Sequence, residues 1–281
     1  MNTVKRQLKS QITSLLKYPV PLSPEEFNAR RYGKKVFINS LPKSGTFLLR
    51  RLLSLCPNFS SRWSHHGFVA KTPNLLEKLG NLHQGQYVSG HLYWNSELVE
   101  VLRSTDVLTL FIIRDPRDVA VSLANYLTYK NKNHRLHPYY QSLSSDEERL
   151  MAAITGLDNA LLADGIVDES IGEEVESYLP WLKEPTCLSV RFEDLIGSGG
   201  GGDDAAQFTA VCSIIEYLGL DLSKQEIERI SQSLFFKDST TFRKGQIGDW
   251  RNHFSEAHKR AFKAVAARSL SELGYEKDDD W

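Results

Sequence analysis

The sequence lacks the features of a disulfide-rich, zinc-binding or membrane-spanning protein. Its 3 cysteines, Cys56, Cys187 and Cys212, lie far apart and form no CxxC or Cys/His pattern, which argues against a disulfide framework or a zinc site. No segment has the ~18 consecutive apolar residues of a membrane span. The N-terminus has neither an unbroken apolar core nor a small-residue cleavage site. We therefore expect a cytoplasmic protein with reduced thiols and no membrane span.

A large net charge is also absent, since 34 Lys and Arg residues face 35 Asp and Glu residues. Affinity for an anionic ligand must therefore come from a local group of basic residues, and we expect no nucleic-acid partner. The length of 281 residues suits one large α/β domain that spans 1–281. The oligomeric state is left open.

The hydrophobic pattern alternates between strand and helix periods, which is typical of a mainly parallel sheet flanked by helices. The segment "VLTLFIIR" is apolar and rich in β-branched residues, as a buried parallel strand should be. The predicted strands are 34–39, 86–92, 107–114 and 187–195, and the predicted helices are 47–55, 96–103, 205–219, 223–234 and 255–273.

Four other segments receive separate predictions. Residues 1–30 form an N-terminal helical segment that we expect to dock on the domain, with contact to a membrane surface as the alternative. "NKNHRLHPYYQSLSSD" (131–146) is a long loop or lid. "GSGGGGDD" (197–204) is a flexible surface insertion. The terminal "EKDDDW" (276–281) is a solvated tail.

The segment "LPKSGT" (41–46) directly follows the first strand and precedes a helix. Consecutive backbone N–H groups at a helix N-terminus bind anions, and Gly45 allows close approach. Lys43 adds a cation, and Ser44 and Thr46 add hydroxyl donors. Lysine precedes the glycine here, so the usual nucleotide-kinase loop is not encoded. The segment therefore predicts a phosphate or sulfate cradle, with an ordinary tight turn as the alternative.

Two further segments favour anion binding. Arg114 ends the apolar strand and Ser122 follows on the next helix, so both are expected at the carboxyl edge of the sheet, where open α/β folds bind ligands. The alternative for Arg114 is a structural ion pair with Asp118 or Glu193. In "FRKGQIGDWRNHF" (242–254), two adjacent cations precede a glycine, and the alternative is a basic surface turn.

The segments "LPKSGTFLLRRLL", "FIIRDPRDVAVSLANY" and "RKGQIGDWRNHF" resemble, in order and spacing, signature segments of the cytosolic sulfotransferase family. That family uses 3′-phosphoadenosine 5′-phosphosulfate (PAPS) and releases 3′-phosphoadenosine 5′-phosphate (PAP). The resemblance runs from about residue 34 to about residue 256. It implies that the 5′-phosphosulfate contacts Lys43, Ser44, Gly45, Thr46 and Phe47, and that the 3′-phosphate contacts Arg114, Ser122, Arg243, Lys244 and Gly245.

The resemblance also implies a catalytic histidine at a strand end, and His91 lies 23 residues before Arg114. A histidine can remove the proton of an acceptor hydroxyl as its oxygen attacks sulfur, while Lys43 stabilises the leaving bridging oxygen. By the same resemblance Phe236 stacks on adenine. Phe192 stands where many members have a tyrosine, so its hydroxyl contact is missing. The transferred group carries less charge than a phosphoryl group, so we expect no metal requirement.

The acceptor is expected to be a small organic molecule with a hydroxyl or a nitrogen, since no extended basic stripe is present. Two other functions stay open: a nucleotide kinase or NTPase in which Asp115 holds the metal, and a non-catalytic nucleotide-binding module. Asp115 is better explained as a helix N-cap. Candidate residues of the acceptor pocket are Trp63, His65, His66, Tyr93, Trp94, His134, His137, Tyr139 and Tyr140.

Overall fold

The computed structural model describes residues 23–61, 64–157, 168–235, 244–278 and 280–281. Within these residues, the chain forms one sheet of five parallel strands in the order β2-β3-β1-β4-β5. The predicted α/β class and parallel sheet are therefore confirmed. The strands are β1 Lys35–Ser40, β2 His65–Val69, β3 Tyr87–His91, β4 Val107–Ile113 and β5 Cys187–Arg191.

Helices cover both faces of the sheet. Most of them begin at a Ser, Asp or Asn N-cap whose side chain accepts a backbone N–H of the first turn, and two predicted helix starts behave in this way at Asp115 and Ser255. The helices are α1 Pro24–Tyr32, α2 Thr46–Leu55, α3 Leu75–Gly80, α4 Ser96–Ser104, α5 Pro116–Asn125, α6 His137–Ser142, α7 Asp146–Thr155, α8 Ile171–Tyr178, α9 Phe192–Leu195, α10 Asp204–Tyr217, α11 Lys224–Gln232 and α12 Glu256–Glu272.

The order of the strands determines where the candidate site lies in the fold. After β1 the chain builds β2 and β3 on one side of that strand, and it then crosses to build β4 and β5 on the other side. The reversal opens a crevice at the carboxyl end of β1, which is where ligands bind in open α/β sheets. Apolar cores on the two faces of the sheet hold this edge: Leu49 and Ile38 belong to one, and Phe37 and Phe262 belong to the other.

Several predictions about individual segments were wrong. The predicted strand 187–195 ends at Arg191, and a short helix follows. The predicted loop 131–146 contains α6, because Tyr140 is buried in an apolar cluster with Leu127 and Leu136. Burial of these side chains stabilises a helix that the polar sequence did not indicate.

The glycine-rich segment 197–204 is an ordered turn and not a flexible insertion. Ser198–Gly200 forms a 3₁₀ turn, and the carbonyl of Gly200 accepts the N–H of Ile247 at 3.1 Å. Glycine is required here by close packing, because a Cβ on Gly199 would lie 2.6 Å from the Phe235 ring. The segment therefore packs directly against residues 244–247.

The chain end is docked on the domain and is not a solvated tail. The Trp281 ring lies edge-on to Trp250 at 5.4 Å and to Phe262 at 5.9 Å. The Arg117 guanidinium lies over both indole rings and also pairs with Glu276 at 2.6 Å. These contacts stabilise the segment that follows Lys244.

The N-terminal prediction for 1–30 is tested only from residue 23 onward, where α1 begins with a capping box at Ser23. Residues 1–22 lie outside the described part. None of the helices in the described residues has the length and apolar character needed to cross a membrane.

Candidate active site

A cavity of about 910 Å³ opens at the carboxyl edge of the sheet. It is bounded by the loop after β1, the ends of β3 and β4, and the segment after residue 243. The fold thus brings together three segments that are far apart in the sequence. The predicted site residues that line this cavity are Lys43, Gly45, Thr46, Phe47, His91, Arg114, Ser122, Phe192, Lys244 and Gly245.

The loop after β1 has the backbone of an anion cradle. Lys43 and Gly45 both have positive φ, at 70° and 104°, and the loop turns directly into α2, whose first N–H groups have no intrahelical acceptor. A Cβ on Gly45 would lie 2.7 Å from the ring of Phe192, so the turn requires glycine. Ser44 is buried, and its hydroxyl has no hydrogen-bond partner among the described residues.

Lys43 is positioned by an aromatic ring. Its Nζ lies 4.0 Å from the centre of the Tyr126 ring, which places the cation over the π face. Tyr126 follows α5 and also lines the cavity. The contact holds the ammonium group at the cavity wall.

Arg114 is buried at the end of β4 and connects two of the three segments. Its guanidinium lies 4.2 Å from the centre of the Phe192 ring and donates to the carbonyl of Gln246 at 2.8 Å. It also lies 3.5 Å from Asp118. The predicted ion pair with Asp118 is therefore present, and the same side chain lines the cavity.

Asp118 holds the third segment in place. Its two carboxylate oxygens accept the N–H groups of Gly248 at 2.8 Å and Trp250 at 2.9 Å. Burial raises the pKa of this carboxyl, while Arg114 and the two amides act in the opposite direction. The segment that carries Lys244 is thus fixed to α5 by a buried carboxylate.

Lys244 and Gly245 face the cavity from this anchored segment. Lys244 Nζ lies 3.1 Å from Asp249, and its side chain is half exposed. Gly245 has a φ of 60°, which suits a tight turn with accessible backbone. Ser122 lines the same region from α5. Phe236 and Arg243 lie outside the described residues.

His91 ends β3 with a defined tautomer. Its Nδ1 lies 2.9 Å from the carbonyl oxygen of Ser40, and because a carbonyl only accepts, Nδ1 carries the hydrogen. Nε2 therefore has the lone pair. Burial lowers the pKa of His91, the bond to Ser40 raises it, and the charge of Lys43 lowers it further. Because the net effect lowers the pKa, the imidazole is neutral at pH 7 and its Nε2 can accept a proton.

Asp115 does not take the place of a metal ligand in the cavity. Its Oδ1 accepts the N–H of Arg117 at 2.9 Å, and its Oδ2 lies 2.8 Å from the Arg117 guanidinium. Asp115 is absent from the cavity lining. Its role as an N-cap of α5 matches the sequence interpretation.

The candidates for the acceptor pocket divide into two groups. His66, Tyr93 and His134 line the cavity, and Trp63 lies outside the described residues. The remaining candidates make contacts elsewhere; Trp94, for example, lies 3.5 Å from Glu184. Those not lining the cavity are His65, Trp94, His137, Tyr139 and Tyr140.

Sequence reasoning missed several cavity residues. Tyr126 and Arg50 lie within the quoted segments 111–126 and 41–53, but neither was assigned a role there; Tyr126 follows α5, and Arg50 lies one turn beyond Thr46 on α2. A set of carboxylates also lines the cavity and comes from a stretch that no motif marks. These are Asp168, Glu169 and Glu174.

Known proteins share the sequence pattern of this chain. The model of the sulfotransferase domain family matches residues 33–274. Zebrafish (Danio rerio) sulfotransferase 6B1 is 27% identical over 205 residues, which is 67% of this chain and 60% of that protein. Human sulfotransferase 2A1 is 22% identical over 275 residues, which is 89% of this chain and 88% of that protein.

Solved structures share the fold. Mouse sulfotransferase SULT7A1 complexed with PAP has a TM-score of 0.58 at 18% identity, and the match covers 89% of each chain. Retinol dehydratase in complex with androsterone and PAP has a TM-score of 0.57 at 18% identity, covering 88% of this chain and 85% of that one. Because the family model covers most of the sequence, the chain belongs to the sulfotransferase domain family.

Proposed function

We propose that this protein transfers a sulfuryl group from PAPS to a hydroxyl or nitrogen of a small organic acceptor. The observation that carries the proposal is the convergence of Lys43, Arg114 and Lys244 on one cavity that also contains a neutral His91. Family membership and structural neighbours with bound PAP support the same donor.

The cavity residues fit such a donor. The turn at Gly45 packs against the Phe192 ring beside the cavity, and the buried hydroxyl of Ser44, which has no partner among the described residues, can donate to an anion. Lys43, Ser44, Gly45, Thr46 and Phe47 would hold the 5′-phosphosulfate. Ser122, Lys244 and Gly245 line the cavity together with Arg114 and, with Arg243, would hold the 3′-phosphate. Phe192 and Phe236 would contact adenine.

His91 acts as the general base in this proposal. PAPS supplies a sulfuryl group activated by its bond to phosphate. The acceptor oxygen bonds to sulfur while its proton passes to Nε2 of His91, and the electron pair of the broken sulfur–oxygen bond stays on the nucleotide. Nδ1 keeps its hydrogen bond to Ser40, which stabilises the imidazolium that forms. Such proton transfer typically contributes ~10²–10⁴-fold to the rate.

Lys43 stabilises the bridging oxygen that leaves. Its position over Tyr126 and the positive φ of its backbone direct it to the cavity that His91 also lines. Catalysis then depends on positioning and electrostatics, as in phosphoryl transfer.

The three cysteines are all free thiols, which supports a reducing, cytoplasmic location.

Thermal unfolding with PAP tests the donor site. A ligand that binds only the folded state raises the melting temperature by mass action. We expect micromolar PAP to protect the wild type, and Lys244→Ala to weaken that protection. Lys71→Ala changes an exposed lysine outside the cavity and serves as the matched control.

Turnover is then measured with labelled PAPS and a cell extract, followed by mass spectrometry of the sulfated products. No protection by PAP, together with Mg²⁺-dependent hydrolysis of ATP, would refute the proposal. Protection without any sulfated product would indicate a binding module.

A further inference from the structure

Three carboxylates form one wall of the cavity. Asp168, Glu169 and Glu174 line the same space as His91, and Tyr93 lies among them. Asp168 and Glu169 precede α8 and Glu174 lies on it, whereas the residues proposed to bind the donor lie in the loop after β1, at the end of β4 and at 244–245. This acidic wall, defined as these three side chains, therefore borders the part of the cavity left for the acceptor.

Backbone contacts hold the acidic wall in position. Leu157 donates its N–H to the carbonyl of Asp168 at 2.9 Å. A Cβ on Gly156 would lie 2.3 Å from that same carbonyl, so the approach requires glycine. Ser170 then caps α8 through a capping box. The carboxylates are held in this geometry by the fold.

The polar contacts of the acidic wall leave it short of positive charge. Tyr93 donates its hydroxyl to Glu169 at 2.8 Å. Arg135 lies 4.0 Å from Asp168, and its side chain is exposed. Within the described residues, the Glu174 carboxylate accepts no hydrogen bond and forms no ion pair. Among the described residues, Arg135 is thus the one cation that forms an ion pair with the acidic wall.

Burial and mutual repulsion raise the pKa values of two of these acids. Burial raises the pKa of Glu174 to about 7, with further contributions from Asp168 and Glu169. Burial likewise raises the pKa of Asp168 to about 6, while Arg135 acts in the opposite direction. A cation bound here would offset both the desolvation and the mutual repulsion.

The acidic wall combines carboxylates with an aromatic ring, which suits an organic cation better than a metal ion. Tyr93 is 43% exposed and packs edge-on to Tyr178 at 5.2 Å, so an aromatic face accompanies the carboxylates. Carboxylates beside an aromatic face suit an ammonium or guanidinium group. Other charged or titratable groups on the cavity wall are Lys43, Arg50, His66, His91, Arg114, His134, Arg135 and Lys244.

On the premise of the proposed function, we propose that the acceptor carries an ammonium or guanidinium group that binds Asp168, Glu169 and Glu174 while its hydroxyl faces His91. The inference rests on two observations: the Glu174 carboxylate, which has no partner among the described residues, lines the cavity, and His91 lines the same cavity. Neither observation depends on the donor side of the site.

A charge series of acceptors tests this inference. The probes are 4-(2-aminoethyl)phenol, 4-ethylphenol and 3-(4-hydroxyphenyl)propionate, which share a phenol and differ in net charge. With PAP-saturated protein, we measure the shift in melting temperature for each probe, and with PAPS we measure kcat/KM. Glu174→Gln is compared with Glu176→Gln, an exposed glutamate on the same helix.

The wild type should favour the amine over the neutral phenol by about tenfold or more in kcat/KM, and should show a larger thermal shift with the amine. Glu174→Gln should remove most of this preference without altering protection by PAP, and Glu176→Gln should preserve it. Equal responses to amine and neutral phenol, or a preference for the carboxylate probe through Arg50, would overturn the inference. Loss of PAP protection in the wild type would instead refute the proposed function.

Discussion

Replacing Asp118 with asparagine tests how the site is assembled. In the wild type both carboxylate oxygens accept a backbone N–H, from Gly248 at 2.8 Å and from Trp250 at 2.9 Å. The asparagine amide has one acceptor and one donor group, so one of these N–H groups would face another donor. The guanidinium of Arg114, 3.5 Å from Asp118, would also lose the negative charge of this carboxylate.

The magnitude follows from these contacts. Losing one hydrogen bond to a charged group costs ~1.5–3 kcal/mol, and removing one partner of a buried ion pair costs ~3–5 kcal/mol. The two terms overlap, and removal of the buried charge, whose desolvation raises the pKa of Asp118, offsets part of them, so we expect Asp118→Asn to lower the free energy of unfolding by about 1.5–3 kcal/mol. A domain with ~5–15 kcal/mol of stability keeps a folded population under this change.

Urea unfolding with and without PAP is the assay. At a PAP concentration of 100 times Kd, the wild type should gain ~2.7 kcal/mol. Because Asp118 anchors the segment that carries Lys244, the gain for Asp118→Asn should fall to less than half of this value at the same PAP concentration. Asp221→Asn, at an exposed position, is the control. An unchanged gain in the destabilised variant would refute the claim that this carboxylate positions the phosphate-binding segment.

Three other changes test separate parts of the site. Gly45→Ala should abolish protection by PAP, because its Cβ would lie 2.7 Å from Phe192 at a φ of 104°; normal protection would contradict the cradle. His91→Ala should lower kcat by ~10²–10⁴-fold and leave PAP binding intact, while the exposed His83→Ala has no effect. In the wild type, kcat/KM should fall as the pH drops through the lowered pKa of His91, below 6.5. Glu174→Gln should be more stable than the wild type above pH 7, by up to about 3 kcal/mol, because a pKa raised from 4.5 to about 7 means that ionisation costs stability as the pH rises; melting curves at pH 5 and pH 8 that show the same difference would contradict this.

Short-range patterns in the sequence predicted much of the fold. The apolar run of β4 followed by Asp115 and Pro116 predicted a buried strand and the start of α5, because strand burial and helix capping depend on neighbouring residues. The loop at Lys43 and Gly45 was identified in the same way. The end of the apolar strand and the helix after it indicated Arg114 and Ser122, and family resemblance then added His91; all three line the cavity.

Other features depended on contacts between distant residues. The predicted loop 131–146 contains a helix because Tyr140 is buried against Leu127, a contact that no local pattern marks. Asp118 was predicted only as one of two alternative ion-pair partners of Arg114. Its bonds to Gly248 and Trp250 cross 130 and 132 residues of sequence.

By itself, the sequence determined strands β1, β3, β4 and β5, several of the helices and the residues suited to bind an anion, because propensity, capping and backbone conformation act over a few residues; β2 was missed. Only the tertiary structure decided which of these residues share a cavity. It also decided that Asp168, Glu169 and Glu174 line the cavity that contains His91. The electrostatic environment of a side chain depends on all groups within several ångströms, and folding brings those groups together from remote parts of the chain.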